Sequence, residues 1–202
     1  VLAAASLLCL AIVLSGSLGR VSGLLFLLCL AAYVTHAIRT GAAVEAEPSA
    51  TTLRMPVALV IFGGGLLLTL VAARALVGGA VSVAEAWGVS EAVIGLTIVA
   101  IGTSMPELVT SIVAARKGQA DLAFGNIVGS NIFNILGILG VTAIVSPLQV
   151  PDVIARFDIW VMIAATVALV AAAVTGWRIT RREGMVFVAG YATYLGWLVV
   201  SA

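Results

Sequence analysis

Two short polar clusters, each set inside an otherwise apolar run, hold the residues able to do chemistry. The first is Gly102-Thr103-Ser104-Met105-Pro106-Glu107; the second comprises Gly125-Asn126, Gly129-Ser130-Asn131 and Asn134. Pro106 lacks an N–H and disturbs the preceding turn, and Gly102 loosens it further. Backbone carbonyls freed within a membrane persist only where protein, water or an ion satisfies them. Along a helix, Ala100, Thr103, Ser104 and Glu107 fall at i, i+3, i+4 and i+7, which is one face. That face would offer carbonyl, hydroxyl and carboxylate oxygens. Asn126, Ser130 and Asn134 recur every fourth position as a polar stripe. Alone, the stripe reads equally as glue between helices or as ligand; facing Glu107 across the Arg116-Lys117-Gly118 turn, it favours ligand. Gly125 and Gly129 form a Gly-x-x-x-Gly step expected to allow close helix contact. All these groups are hard oxygen donors, suited to Ca²⁺, Na⁺ or Mg²⁺ and not to zinc or copper. Ca²⁺ takes about 6–8 oxygens, more than these clusters supply, so the remainder is expected from a second, matching set.

The elements that must position these groups follow from composition. Of 202 residues, 62% are hydrophobic and 9% charged, with mean hydropathy +1.24. Soluble domains carry about 25% charged residues, so a water-facing surface cannot be built, and an all-α multi-pass membrane protein is expected. A net charge of +1 gives no reason to expect a nucleic-acid partner. Cys9 and Cys29 read as small apolar fillers, and His36 as an interfacial residue. Runs near the roughly 20 apolar residues that a span needs occur at 1–17, 22–38, 55–77, 91–115, 122–146, 159–177 and 184–201. The first begins at residue 1 without a basic leader, so it reads as a helix cut by the chain's start and not as a signal peptide. Glu107 is the only acid deep within a span. A charge at the bilayer centre costs roughly 3 kcal/mol or more, which argues for a use; the plain alternative is a protonated Glu hydrogen-bonded inside a bundle.

Residues 40–54 form the one substantial linker, and short loops join the other spans. Arg39, Arg54, Arg116, Lys117, Arg178, Arg181 and Arg182 fall on one side, and Arg20 and Arg156, with Arg74 at most, on the other. The positive-inside rule then makes the linker cytoplasmic and the C-terminus external. A weak internal repeat pairs Arg20 with Arg181, Gly23 with Gly184, Phe26 with Phe187, Ala31 with Ala192 and Tyr33 with Tyr194, all at one offset. The loops holding Arg20 and Arg181 lie on opposite sides, so the copies would be inverted, as in many secondary transporters. The same offset carries the counterpart of Glu107 upstream of Val1, so a first repeat is expected there.

At these residues a family becomes recognisable. Gly102 through Glu107, followed by Gly125-Asn126 and Gly129-Ser130-Asn131-Ile132-Phe133-Asn134, resembles the alpha repeat of the cation/Ca²⁺ exchanger superfamily, above all the prokaryotic sodium/calcium exchangers. Three spans, with the linker between the second and third, precede the motif and two spans follow, so it resembles the second of the two repeats. The resemblance implies an inverted-repeat fold of about ten helices. Residues 1–39 would be the last two helices of a truncated first half, 40–54 the cytoplasmic linker, and 55–202 the second five-helix half, with the repeat at 91–146. It further implies that Glu107 bridges Ca²⁺ and Na⁺ sites, that Ser104 and Ser130 give hydroxyl ligands, Ala100 and Thr103 backbone carbonyls, and Asn134 an amide. Some members carry Asp where Asn134 stands, and Met105 stands where Leu is commoner. The implied activity is Na⁺/Ca²⁺ antiport by alternating access in a prokaryotic inner membrane, with the two ions as cargo, the bilayer and the missing N-terminal half as partners, and no cofactor.

Other readings remain open from sequence. A Ca²⁺/H⁺ antiporter would use Glu107 as proton carrier. An intramembrane enzyme with Ser104 as nucleophile lacks an activating Lys or His nearby, so a non-enzyme is expected. A non-transporting scaffold is a third reading, and a homodimer supplying two copies of Glu107 a fourth.

Overall fold

The computed structural model describes residues 1–41, 54–89, 94–176 and 179–201. Most of the 40–54 linker, and the first residues of the repeat at 91–93, lie outside them. Contacts divide the chain into two compact units, one from residues 1–44 with 127–187, the other from 45–126 with 188–202.

In the first unit, α1 (Leu2–Leu14) leads through a Gly16 turn into β1 (Ser17–Leu18) and then α2 (Arg20–Thr40). Gly16 has φ 85°, a left-handed conformation open to glycine. Helix α6 (Ala120–Ile132), whose last residues belong to this unit, continues without a break through a π-helical stretch, Phe133–Ile138, into α7 (Leu139–Val145). Then come β2 (Leu148–Gln149), a second π stretch at Ile154–Asp158, and α8 (Ile159–Gly176). The β1 and β2 segments pair antiparallel, Ser17 with Gln149 and Leu18 with Leu148. This ribbon is a small departure from the all-α expectation.

The core of this unit gathers Cys9, Phe26, Ile132, Leu136, Ala143 and Ile159. It forms because α2 packs on α7 and α1 on α8. The α2–α7 seam depends on glycine: a Cβ on Gly23 would sit 2.6 Å from the Gly140 carbonyl oxygen. Small residues let helix backbones approach where lipid offers no hydrophobic gain from association. The buried Ser6 hydroxyl and the half-buried Thr166 hydroxyl share a 3.3 Å hydrogen bond between α1 and α8. By contrast, a Cβ on Gly125 or Gly129 would meet nothing within 4 Å among the described residues. In the first unit the tight approach falls at Gly23 and Gly140, because a glycine admits a neighbouring helix only where one is placed.

In the second unit, α3 (Met55–Ala86) is a 32-residue helix. At a rise of about 1.5 Å per residue it is ~48 Å long, well beyond the roughly 30 Å hydrocarbon core and the expected end at residue 77. It stops at Gly88 (φ 76°), where the Val89 N–H reaches the Ala84 carbonyl and the Gly88 N–H that of Glu85, both at 3.0 Å, a Schellman cap. A π-helical stretch at Gly95–Val99 follows, then α4 (Ala100–Thr103) and α5 (Met105–Arg116). Gly118 (φ 76°) closes the basic turn into α6 with the same cap, Gln119 N–H to Ala114 at 2.9 Å and Gly118 N–H to Ala115 at 3.1 Å. The last helix, α9 (Arg181–Ser201), starts in the first unit and ends in the second. A reciprocal capping box opens it: the Thr180 N–H donates to Glu183 Oε2 at 2.7 Å, and the Glu183 N–H to Thr180 Oγ1 at 3.3 Å.

Among the described residues five helices are long and apolar enough to cross a membrane, and the bent pair ending in α5 makes a sixth. The expected seventh, at 1–17, is the 13-residue α1. It ends early because Gly16 turns the chain into the ribbon. The chain is an all-α multi-pass membrane protein apart from that ribbon.

Candidate ion-binding site

The site is built on a helix that fails in mid-course. Thr97–Thr103 and Met105–Arg116 meet at a 50° bend. Pro106 occupies the first turn of α5; it has no N–H for the Gly102 carbonyl, and its ring crowds that carbonyl. Ser104 sits at the break with φ −92° and ψ 2°, and its N–H turns to the carbonyls of Ile101, at 3.2 Å, and Gly102. The Ala100 carbonyl, its acceptor in a regular helix, is thus released from that bond. Thr103 Oγ1 lies 3.0 Å from the Val99 carbonyl oxygen and 3.2 Å from that of Ala100, within reach of either. Past the break, the Thr110 hydroxyl donates to the Pro106 carbonyl at 2.7 Å. Gly102 is buried two residues before the break, pressed so closely on Val77 of α3 that a Cβ would overlap the valine side chain.

The break corrects one expectation. Ala100, Thr103, Ser104 and Glu107 do not share one continuous helical face, because the counting assumed an unbroken helix. Ala100 and Thr103 lie before the bend, Ser104 at it, and Glu107 in the first turn after it. The bend leaves carbonyl and hydroxyl groups of one segment beside the start of the next, where the positive end of the α5 dipole favours a negative group.

Glu107 is half-buried. Its Oε2 is buried and has no hydrogen-bond partner among the described residues. A buried polar oxygen without a partner is costly, which makes this carboxylate a candidate contact for a bound cation. Its backbone, by contrast, is held: Asn126 Nδ2 donates to the Glu107 carbonyl at 3.1 Å and to Ser111 Oγ at 2.9 Å. Ser111 is buried. It was not singled out from sequence, although it lies one turn after Glu107 as a polar residue in an apolar span, and that spacing was the available signal. Asn126 was singled out only as part of the polar stripe.

Ser130, near the end of α6, and Asn134, in the Phe133–Ile138 π stretch, belong to the first unit. The predicted residues therefore divide into Ala100, Thr103, Ser104 and Glu107 in one unit and Ser130 and Asn134 in the other. The π turn around Asn134 matches a feature often found at functional positions. Among the described residues no three His, Cys, Asp or Glu side chains come together. Glu107 offers one carboxylate beside neutral oxygens, donors of the kind that fit Ca²⁺ or Na⁺. In the first unit Asp158 lines, with Cys9 and Met162, an apolar cavity of about 280 Å³.

The profile of the sodium/calcium exchanger protein family matches residues 57–200. The CaxA protein of Alkalimonas amylolytica is 44% identical over 153 residues, which are 74% of this chain and 47% of CaxA. The sodium/calcium exchanger MaX1 of Methanosarcina acetivorans is 46% identical over 112 residues, 55% of this chain and 32% of MaX1. The inner membrane protein YrbG of Escherichia coli is 37% identical over 148 residues, 71% of this chain and 45% of YrbG. The chain thus spans half or less of the length of these relatives. No solved structure matches it. The matched stretch contains the broken helix, the unpaired Glu107 carboxylate and the Asn126 contact, and on that match the chain belongs to the sodium/calcium exchanger protein family.

Proposed function

We propose that this chain is the second half of a secondary antiporter that exchanges Na⁺ for Ca²⁺ by alternating access, together with the end of the first half. The observation that carries the reading is the Glu107 carboxylate, buried at Oε2 without a partner, at the start of a helix segment broken inside the membrane. Discontinuous helices that present dipole ends and free carbonyls are the ion sites of many secondary transporters. In this reading Glu107 bridges the Ca²⁺ and Na⁺ positions, Ser104 and Ser130 contribute hydroxyls, Ala100 and Thr103 contribute carbonyls, and Asn134 its amide. One Ca²⁺ or several Na⁺ would neutralise the site, and the two sets exclude each other by charge. One carboxylate with these neutral groups does not complete a Ca²⁺ shell of about 6–8 oxygens. A first half with its own repeat, upstream of the linker, supplies the rest. Residues 1–39 are the end of that half and 55–202 the second half, with the 40–54 linker cytoplasmic, the C-terminus outside, and the whole in a prokaryotic inner membrane. The protein works as a transporter and not as an enzyme. Support comes from the family membership and from the exchanger name that MaX1 carries.

The test is Ca²⁺ uptake by full-length protein in Na⁺-loaded vesicles, with and without Glu107→Gln. Uptake that needs the outward Na⁺ gradient and vanishes in the variant upholds the reading. Uptake that ignores Na⁺ and follows a pH gradient assigns a Ca²⁺/H⁺ antiporter, with Glu107 carrying the proton. Normal transport by Glu107→Gln would remove Glu107 from the site.

A further inference from the structure

We infer that Asn126 is the positioning residue of the site, a strut from α6 that sets where Glu107 stands. The inference rests on the ion-site reading of Glu107. The Asn126 side-chain amide donates to the Glu107 carbonyl at 3.1 Å and to Ser111 Oγ at 2.9 Å. Both acceptors lie on α5 one turn apart, so one amide group grips the turn that carries the carboxylate. The Glu107 carbonyl can only accept, so the amide must present its NH₂ to it. Chemistry thereby fixes the side chain's orientation. An ionised Asp at this position would set oxygen against oxygen.

The division of labour within Glu107 is what marks Asn126 as more than glue. The amide takes the main-chain carbonyl and leaves the carboxylate alone, whose Oε2 is buried without a partner among the described residues. A donor aimed at the carboxylate would compete with a cation; a donor aimed at the backbone positions the ligand at no such cost. The grip matters because the other end of this turn is weak. Pro106 gives no N–H to the turn before it, and the helix is bent by 50° there. Glu107 therefore sits just past a hinge, and the contact from α6 restrains it where the helix does not. Ser111 is buried and Asn126 half-buried, so water cannot readily replace a lost bond. A ligand left about 1 Å loose by its supporting groups forfeits much of its function.

The experiment uses full-length protein in vesicles, with initial Ca²⁺ uptake measured across Ca²⁺ concentrations under whichever gradient, Na⁺ or H⁺, drives it. Asn126→Ala should raise the Ca²⁺ concentration for half-maximal rate about fivefold or more, the worth of one hydrogen bond or slightly over, with a smaller effect on maximal rate. Asn126→Asp should do worse than Ala, and Asn126→Gln, which keeps the donors, should recover part of the affinity. Ser111→Ala removes one acceptor and should give about a twofold rise. Added to Asn126→Ala it should change little, since the two residues make one contact. The proposal is overturned if half-saturation is unchanged while maximal rate or the amount of folded protein falls, which is what a purely structural role gives. It is also overturned if the two substitutions add in full. Should Asn126→Ala fail to fold, the milder Ser111→Ala decides: unchanged half-saturation overturns the proposal. Glu107→Gln run alongside separates the two failures. If that variant transports normally, the ion-site reading itself has failed; if it is inactive while Asn126→Ala and Ser111→Ala bind Ca²⁺ normally, only the strut has failed.

Discussion

Each unit has a glycine pressed hard against a neighbour, and the neighbours differ in kind. Gly23 of α2 faces the backbone carbonyl of Gly140 in α7, while Gly102 at the bend faces the side chain of Val77 in α3. In the first unit the close approach joins two regular helical segments whose own backbone bonds are made, and it produces a packed apolar seam. In the second, the glycine seats a helix whose own ladder is broken, just before the turn that carries Glu107. The same residue, through the same lack of a Cβ, thus supports a regular packed seam in one region and a helix break in the other. A backbone oxygen cannot move aside without shifting a helix, whereas a valine side chain can be replaced.

That contrast can be broken by substitution. Gly23→Leu should have the largest effect on stability. Overpacking a close contact costs about 1–3 kcal/mol, and more is expected against immovable backbone. The check is the melting temperature of the full-length protein, which should drop sharply while the Ca²⁺ half-saturation of the surviving protein stays put. A shift in half-saturation would mean that the seam also shapes the site. Gly102→Ala should cost less stability but disturb ion binding, by pushing the bend off α3. Trimming the partner with Val77→Ala should restore much of what was lost, since neighbouring residues couple. Failure of that rescue would show that Gly102 acts through backbone freedom and not through the Val77 contact. Thr110→Val should have the smallest effect. It removes a 2.7 Å bond from an exposed hydroxyl to the Pro106 carbonyl. Substitutions at such surface sites usually stay within about 0.5 kcal/mol, so transport and melting temperature should barely change. A marked loss of transport would make Thr110 part of the bend's support.

The legible part of the fold was the part governed by local chemistry. Apolar runs located the long helices, although α3 extends to Ala86 and α1 stops at Leu14. Hydropathy does not mark a helix end; the left-handed Gly88 and Gly16 do. The break at Pro106 was also legible, because a missing N–H is a property of the residue itself. Its consequence was not: helical counting put Ala100 and Glu107 on one unbroken helix, and they stand on two segments that meet at a 50° bend. The polar stripe of α6 was legible as a pattern. That Asn126 spends its amide on the Glu107 backbone and Ser111 depends on how two helices cross.

By itself, then, the sequence determined that the chain lives in a bilayer, that its helices are interrupted by Gly and Pro, and that a lone acid lies deep in one of them. These follow from transfer energies and covalent structure, which each residue carries wherever it is placed. Only the tertiary structure decided which glycines are pressed into contact, and it alone showed that Gly125 and Gly129 stand open among the described residues. The tertiary structure also decided that the Glu107 main-chain carbonyl is gripped while Oε2 stays without a partner among the described residues. Such choices depend on distances between residues far apart in the chain, and in a membrane, where apolar faces do not drive helices together, they are settled by close fit and by individual hydrogen bonds.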